Sequence, residues 1–104
     1  MSVIEQVAAT IAARASASPD SSYTAKLLSE GTEKCAKKFG EESFELALAA
    51  VSKDKAHTAS EAADVIYHML VLLQSCGIPL TTVEKVLASR AGISGLEEKA
   101  SRNG

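Results

Sequence analysis

Residues 32–76 decide the fold, and they read TEKCAKKFGEESFELALAAVSKDKAHTASEAADVIYHMLVLLQSC. Apolar side chains recur in this stretch every three or four residues, at Phe39, Leu46 and Ala50 and again at Val65, Met69, Leu72 and Leu73. That spacing predicts amphipathic helices. The polar residues 53–55 divide the stretch into two helices, from about Thr32 to Ser52 and from about Thr58 to Cys76. Because the connection is short, we expect the two helices to pack antiparallel as a hairpin.

Shorter segments flank this hairpin on both sides. Residues 3–15 have the same apolar periodicity and predict a first helix. A loop rich in Ser, Pro and Asp follows at 16–22, and a short helix is predicted over about 23–30. A last helix is predicted over about 81–92, after the chain turns at a Gly and a Pro.

Hydroxyl side chains stand where these helices are expected to begin. Ser22, or the serine before it, is predicted to cap the short helix, and Thr32 is predicted to cap the first helix of the hairpin. Thr58 with Glu61 has the form of a capping box for the second. Thr81 is expected to open the last helix. A capping glutamate points back toward the start of its helix, so Glu61 could not easily cap the helix and also act as a ligand.

The composition also favours helices. The chain has 104 residues, which suits one domain, and 18 of them are Ala while only 4% are aromatic. Ala favours helices and disfavours strands. No stretch alternates apolar and polar residues, so we predict a single all-α domain over residues 1–104, with the polar residues 94–104 as a flexible tail. A core without large side chains is thin, and we therefore expect an oligomer.

The net charge, the length of the apolar runs and the cysteine pattern disfavour several classes of protein. The formal net charge is −2, so the chain has no overall positive charge that would attract nucleic acid. No apolar run approaches the roughly 18 residues of a membrane span, and the N-terminus has no basic leader. Cys35 and Cys76 stand singly in apolar helical patterns and are both predicted to be buried thiols. These features favour a cytoplasmic protein that binds neither nucleic acid nor membrane.

Carboxylates occur where the hairpin helices are expected to be apolar. Glu41, Glu42 and Glu45 lie in the middle of the first helix, and Glu42 and Glu45 share a face. In the second helix Glu61 and Asp64 repeat the same spacing of three residues. Antiparallel packing can bring the two acidic pairs opposite each other. The pattern is therefore E-x-x-E on one helix and E-x-x-D on the next.

Two interpretations of these acids remain open at this point. Like charges about 4 Å apart cost roughly 4 kcal/mol at an effective dielectric constant near 20, so something must offset the repulsion. A solvated face paired with lysines is one solution. The other is a divalent cation held by Glu42, Glu45, Glu61 and Asp64, and hard oxygen donors favour Mg²⁺ or Mn²⁺ over Zn²⁺.

Three lysines lie one to two turns before these acids. Lys34, Lys37 and Lys38 either form ordinary helix ion pairs or line a phosphate-binding edge beside a metal site. Without the five acids of the motif the chain would carry a formal charge of +3. A metal ion together with lysine stabilises charge on a phosphoryl group in transfer. The residues alone thus favour metal-dependent phosphate chemistry.

The sequence resembles one known enzyme family over nearly its whole length. The segments that carry the resemblance are SYTAKLL at 22–28, KFGEESFELALA at 38–49, SEAADVIYHMLVL at 60–72 and GLEEKA at 95–100. E-x-x-E with E-x-x-D is typical of the MazG-like all-α nucleotide pyrophosphohydrolases. The first segment, and the Tyr-His pair in the third, are similar to the phosphoribosyl-ATP pyrophosphohydrolase family within that group.

The resemblance implies a fold, a reaction and a set of site residues. The fold is a MazG-like helical bundle completed by dimerisation, with an active site framed by both chains. The reaction is the second step of histidine biosynthesis, in which 1-(5-phosphoribosyl)-ATP is hydrolysed to 1-(5-phosphoribosyl)-AMP and pyrophosphate. Glu42, Glu45, Glu61 and Asp64 would hold Mg²⁺, and Glu41, Glu42 and Glu45 would be the catalytic carboxylates, with Glu41 as a further ligand or the base.

The resemblance also implies contacts with substrate and with other proteins. Lys34, Lys37 or Lys38 would neutralise the pyrophosphate leaving group. Tyr23 and Thr24, or Tyr67, would contact the base or the ribose. Association with a phosphoribosyl-AMP cyclohydrolase is a further expectation, because that enzyme consumes the product.

Three alternatives stand beside this interpretation. The first is a house-cleaning nucleoside triphosphate pyrophosphohydrolase of the same group. The second is a di-iron carboxylate bundle, which requires Glu-x-x-His pairs, whereas Asp64 and His68 are four residues apart. The third is a helical dimerisation module whose acids are solvated and which has no enzymatic activity.

Overall fold

The computed structural model describes residues 1–91 and is built from α-helices. They are α1 (Val3–Arg14), α2 (Tyr23–Ser29), α3 (Thr32–Ser52), α4 (Lys55–Ser75) and α5 (Leu80–Arg90). No strand occurs within residues 1–91, so the all-α prediction is confirmed. The predicted tail at 94–104 and the motif segment 95–100 lie outside the described residues. The single-domain assignment stays a prediction.

The two longest helices form the predicted antiparallel hairpin. A two-residue connection joins them, in which Lys53 adopts a left-handed conformation with φ of 65° and Asp54 is extended. The hydroxyl of Thr32, at the start of α3, donates a hydrogen bond of 3.3 Å to the carbonyl of Ser75, at the end of α4. The start of one helix therefore lies beside the end of the other. This register places the middle of α3 opposite the middle of α4.

The N-terminus of α4 differs from the prediction. Asp54 is the N-cap, because its carboxylate accepts a hydrogen bond of 3.0 Å from the backbone N–H of His57. The hydroxyl of Thr58 instead donates to the Asp54 carbonyl at 2.7 Å. The predicted capping box of Thr58 and Glu61 is therefore wrong. The aspartate cap lies four residues earlier, so the helix gains four residues and Glu61 becomes its seventh residue, free of any capping role.

Two further predicted caps are also wrong, whereas one is confirmed. Ser22 caps α2 by accepting from the backbone N–H of Ala25. Thr32 is the first residue of α3, and Gly31 takes the N-cap position with φ of 95°, which a glycine reaches without strain. Thr81 lies inside α5, whose N-cap is Pro79 without a side-chain bond. In both cases a Gly or Pro that reorients the chain occupies the capping position.

The core is small and lies where α1 and α2 cover the hairpin. Its buried cluster consists of Ile11, Leu27, Cys35, Leu70 and Val71. The radius of gyration is 15.8 Å, against about 13 Å for a compact domain of about 100 residues. One chain by itself is therefore less compact than a typical domain of this size, as the shortage of large apolar side chains predicts.

The two cysteines and the last helix lie in different environments. Cys35 is buried as predicted, but Cys76 is exposed, so the prediction for Cys76 is wrong. Cys76 is the C-cap of α4, where Gly77 turns the chain outward with φ of 72°. None of the residues of α5 is buried. No single helix of the described residues is long and apolar enough to cross a bilayer, and α4 and α5 meet those criteria only together, as a pair bent by 111°.

The corrected start of α4 leads to a prediction about stability. Replacing Asp54 by Ala removes the side-chain acceptor at the helix start and is expected to lower the free energy of unfolding by about 1 kcal/mol. Asp54→Asn retains an acceptor of similar strength and serves as the control. Urea unfolding followed by circular dichroism, at one fixed protein concentration, measures both. A larger loss for Thr58→Ala than for Asp54→Ala would contradict this capping assignment.

Candidate functional site

Three of the predicted carboxylates meet between the hairpin helices. Glu42 and Glu45 of α3 and Glu61 of α4 each offer one carboxylate oxygen, and these three oxygens lie within 4.8 Å of one another. We call these three residues the acidic cluster. The spacing of three residues puts Glu42 and Glu45 on one face of α3, and the hairpin register places Glu61 opposite them. Oxygens this close can share one cation.

The other two predicted acids lie at the margin of the acidic cluster. Asp64 is exposed, and its carboxylate lies outside the group of three oxygens. It is nevertheless near, because it contributes to the raised pKa of Glu42. Glu41 is also exposed and forms an ion pair of 3.5 Å between its Oε2 and the Nζ of Lys38. The structure thus brings three acids together and leaves two beside them.

Glu42 experiences most directly the repulsion within the acidic cluster. Partial burial raises the pKa of the Glu42 carboxyl, and the neighbouring carboxylates of Glu45 and Asp64 raise it further. The ammonium of Lys38 lowers that pKa but does not cancel the other effects. In the metal-free protein the cluster therefore disfavours full ionisation, and a bound cation would remove this penalty.

Glu61 supplies the observation that bears most directly on a metal ion. Its side chain is 14% exposed, and its Oε2 is buried without a hydrogen-bond partner. Its Oε1 lies 3.9 Å from Nε2 of His57. A buried carboxylate oxygen without a partner is costly unless something pairs with it. A donor set made of carboxylate oxygens fits a hard divalent cation such as Mg²⁺ or Mn²⁺.

The three predicted lysines have different surroundings. Lys38 is the one that contacts an acid of the motif, through its ion pair with Glu41. The Nζ of Lys34 lies 4.0 Å from Glu30 at the end of α2, away from the acidic cluster. Lys37 is exposed. Both ion pairs have ordinary helix spacing, and only the pair of Lys38 borders the site.

The predicted contacts to base and ribose also divide into two kinds. The hydroxyl of Thr24 shares a hydrogen bond with the hydroxyl of Tyr67, so each hydroxyl already has a partner inside the protein. Tyr23 is 55% exposed and remains accessible. His68 is buried between these tyrosines, and burial followed by the charge of Lys38 lowers its pKa. An uncharged imidazole is therefore expected at neutral pH.

A cavity of about 400 Å³ extends from the acidic cluster toward the hairpin turn. It is lined by Glu45, Leu48, Ala49, Ser52, His57 and Glu61. Sequence reasoning had no role for Leu48 or Ser52 in the site. The only signal for His57 in the sequence is its spacing of four residues from Glu61, which agrees with the 3.9 Å contact between the two side chains. The acidic cluster thus has Lys38 at one end and an open cavity at the other.

The repulsion at Glu42 leads to a prediction for the metal-free protein. We expect Glu42→Gln to raise the free energy of unfolding at pH 7 by no more than about 1 kcal/mol, a modest gain because water screens this half-buried site. The folded-state pKa of Glu42 is raised, so its charge destabilises the fold above that pKa. The gain should therefore shrink as the pH falls toward the unfolded-state pKa of about 4.3.

Urea titrations in the presence of a chelator, at pH 7 and pH 5, measure this effect. Glu33→Gln is the matched control, because Glu33 is an exposed acid in the first turn of α3. Removing that charge should slightly destabilise the protein, since a carboxylate there interacts favourably with the helix dipole. A Glu42→Gln variant that is less stable than the unmodified protein at pH 7 would contradict the proposed repulsion.

Comparison with known proteins gives a consistent result. A sequence model of the family "Phosphoribosyl-ATP pyrophosphohydrolase" matches residues 4–91. The phosphoribosyl-ATP pyrophosphatase 1 of Rhodopseudomonas palustris is 58% identical over 95% of this chain and 92% of its own length. The phosphoribosyl-ATP pyrophosphatase of Dinoroseobacter shibae is 57% identical over 98% of this chain and its full length. The similarity therefore covers all five helices and the acidic cluster, and the chain belongs to the phosphoribosyl-ATP pyrophosphohydrolase family.

Proposed function

We propose that this protein hydrolyses 1-(5-phosphoribosyl)-ATP to 1-(5-phosphoribosyl)-AMP and pyrophosphate, the second step of histidine biosynthesis. The observation that carries this proposal is the 58% identity, over nearly the full length of both chains, to a relative named for this substrate. The acidic cluster supports it, because metal-dependent cleavage of a polyphosphate needs clustered oxygen donors.

Magnesium is the proposed cofactor, and manganese could replace it. Glu42, Glu45 and Glu61 would hold the ion, and Asp64, whose charge acts on Glu42 from the margin of the cluster, is proposed as a further ligand. When bound, the ion supplies positive charge to the triphosphate oxygens and lowers the pKa of a water molecule. The unpaired Oε2 of Glu61 supports this assignment, since a cation would provide the partner that this oxygen lacks.

The remaining residues of the site have roles that follow from their position. In the reaction a water oxygen bonds to the α-phosphorus, and the bond from that phosphorus to the oxygen bridging the β-phosphorus breaks. Glu41 is an exposed carboxylate next to the acidic cluster, and we assign it as the base that accepts the proton of the water. Lys38, which pairs with Glu41, would neutralise charge on the departing pyrophosphate.

Binding of the rest of the substrate involves the neighbouring helices. Lys34 and Lys37 lie within about one turn of Lys38 on α3, and although neither contacts the acidic cluster, they would add positive charge at longer range for the outer phosphates. Tyr23 exposes its ring beside Lys38 and is assigned to the base or the ribose. Thr24 is assigned to the same region, although its hydroxyl already bonds to Tyr67. The phosphates would thus bind between the acidic cluster and the lysines.

A homodimer is the proposed functional unit. Phe44, Leu48 and Val51 form an exposed apolar stripe along α3, with 65%, 56% and 79% of each residue accessible. Monomeric proteins rarely expose an apolar surface of this kind without a partner. A second copy would cover the stripe, and because Leu48 also lines the cavity beside Glu45 and Glu61, it would close that cavity as well.

Two proposals concern the cellular setting. The first is a cytoplasmic location, because both cysteines are free thiols, as is usual in a reducing compartment. We also propose association with a phosphoribosyl-AMP cyclohydrolase, since the product of the present reaction is the substrate of that enzyme.

The activity itself is tested directly. The purified protein with Mg²⁺ and phosphoribosyl-ATP is expected to release pyrophosphate, and a chelator should abolish the release because the acidic cluster needs a cation to act. ATP and the other common nucleoside triphosphates serve as control substrates. Hydrolysis of these triphosphates without hydrolysis of phosphoribosyl-ATP would instead indicate a house-cleaning enzyme. Tightly bound iron in the purified protein would indicate a di-iron site.

Variants of the acidic cluster test the metal assignment. Glu45→Gln and Glu61→Gln keep the side-chain size but remove a charged oxygen donor, and each is expected to lower kcat/KM by about 100-fold or more. Binding of Mn²⁺, measured by calorimetry, should weaken in parallel. Glu33→Gln, which changes an acid outside the site, should leave both unchanged. If activity and metal response survive in all three variants, the acids are merely solvated charges.

The apolar stripe on α3 provides a test of the dimer. Leu48→Asn introduces a polar group at a buried site twice in a two-fold interface, so the dimer dissociation constant should increase by about 30-fold. Analytical ultracentrifugation over a concentration series measures it. Val86→Asn on α5, which is 42% exposed and lies off the stripe, is the control. An equal effect of both substitutions would place the interface elsewhere.

A further inference from the structure

Four side chains of α2 and α4 form a contact network beside the acidic cluster. They are Tyr23, Thr24, Tyr67 and His68, and we call them the aromatic junction. The hydroxyls of Thr24 and Tyr67 share a hydrogen bond across 43 residues of sequence. The His68 ring meets the Tyr67 ring edge-on at a centroid distance of 5.0 Å and the Tyr23 ring edge-on at 6.4 Å. Within the junction His68 is only 7% exposed, whereas Tyr23 is 55% exposed.

One end of the aromatic junction reaches a lysine of the site. Electrostatic interaction with the phenol of Tyr23, and then with the carboxylates of Glu41 and Glu42, raises the pKa of Lys38. The Lys38 side chain is only 26% exposed and pairs with Glu41. Interactions therefore link the hydrogen bond of Thr24, through the aromatic rings, to the ammonium group of Lys38 beside the acidic cluster.

The helix that carries Tyr23 depends on these contacts. α2 has seven residues, and a helix this short is unstable without tertiary packing. Two of its residues, Ala25 and Leu27, are buried in the core. They anchor the inner face of α2, whereas the hydrogen bond of Thr24 ties its first turn to α4. Loss of that bond would free the turn that contains Tyr23.

We propose that Tyr67 is a positioning residue for the hydrolysis of phosphoribosyl-ATP. Its hydrogen bond to Thr24 holds the first turn of α2 against α4 and keeps Tyr23 beside Lys38 at the edge of the acidic cluster. Tyr67 acts through these two residues and does not touch the reacting phosphorus. This inference rests on the proposed function, because it concerns how the substrate of that reaction is bound. Groups fixed before binding cost less entropy when the substrate arrives.

The proposal predicts which kinetic constant changes. The aromatic junction orients groups that bind substrate, whereas the carboxylates that carry the metal belong to α3 and α4 and do not depend on α2. Tyr67→Phe and Thr24→Val each remove one hydroxyl while keeping most of the side-chain volume. Each is expected to raise KM by about 3–10-fold, the size of one hydrogen bond, with kcat changed by less than about twofold.

A double-mutant cycle separates this role from simple stabilisation. The variant with both substitutions should have the KM of either single variant, because both break the same bond. Thr24→Ser keeps the hydroxyl and should restore KM to within about twofold of the unmodified protein. Affinity for Mn²⁺ alone, measured by calorimetry, should be the same in all variants. Melting temperatures show whether each variant is folded at the assay temperature.

The possible results are distinct. An unchanged KM in the folded single variants would overturn the proposal, and so would effects that multiply in the double variant, since the hydroxyls would then act independently. A fall in kcat with constant KM would make Tyr67 part of the reacting site and would also overturn it. If the unmodified protein does not hydrolyse phosphoribosyl-ATP, the proposed function fails, and the positioning role fails with it. Unmodified activity with unchanged KM overturns the positioning role alone.

Discussion

The carboxylates that α3 and α4 hold close together repel each other, and the rest of the structure must offset this repulsion. Glu42, Glu45 and Glu61 bring oxygens within 4.8 Å of one another in a chain whose core is small. Such a group persists only if the backbone that carries it is set by other interactions. The hairpin does this, because its two-residue turn and the bond from Thr32 to the end of α4 determine the register at both ends. If a cation binds there as proposed, it would relieve this repulsion and would stabilise the folded protein by an amount that rises with the logarithm of the cation concentration relative to its dissociation constant.

The distribution of apolar side chains follows from the same constraint. One face of the hairpin is occupied by acids, so α1 and α2 cover only part of the rest, and the buried cluster contains no aromatic residue. The larger side chains Phe44, Leu48 and Val51 lie instead on the outside of α3. In a monomer these side chains remain in contact with water and give no hydrophobic stabilisation. A second copy on that surface would recover it and would also exclude water from the cavity next to Glu45, where low polarity strengthens the interaction of carboxylates with a cation.

Periodicity predicted most of the fold, and spacing predicted the acids of the site. Helix bounds agree with the apolar pattern to within a few residues, and E-x-x-E with E-x-x-D identified the residues that α3 and α4 bring together or leave at the margin. The errors occur where two local signals compete. Gly31 displaces Thr32 from the N-cap, and the turn after α4 exposes Cys76, because backbone conformation at a glycine outweighs side-chain preference there. The bond between Thr24 and Tyr67 joins residues 43 positions apart, and no periodic pattern encodes such a contact.

The corrected start of α4 connects local structure with chemistry. Had Thr58 been the N-cap, Glu61 would have been the third residue of the helix, and its carboxylate would have turned back to bond the backbone of Thr58. Asp54 provides the acceptor instead, and α4 begins four residues earlier, about one full turn. Glu61 then lies within the regular helix, opposite Glu45, and one of its oxygens is buried without a partner. The conflict between cap and ligand that the sequence poses is thus resolved by one aspartate. The choice of N-cap at the hairpin turn determines whether the third carboxylate is available to a metal ion.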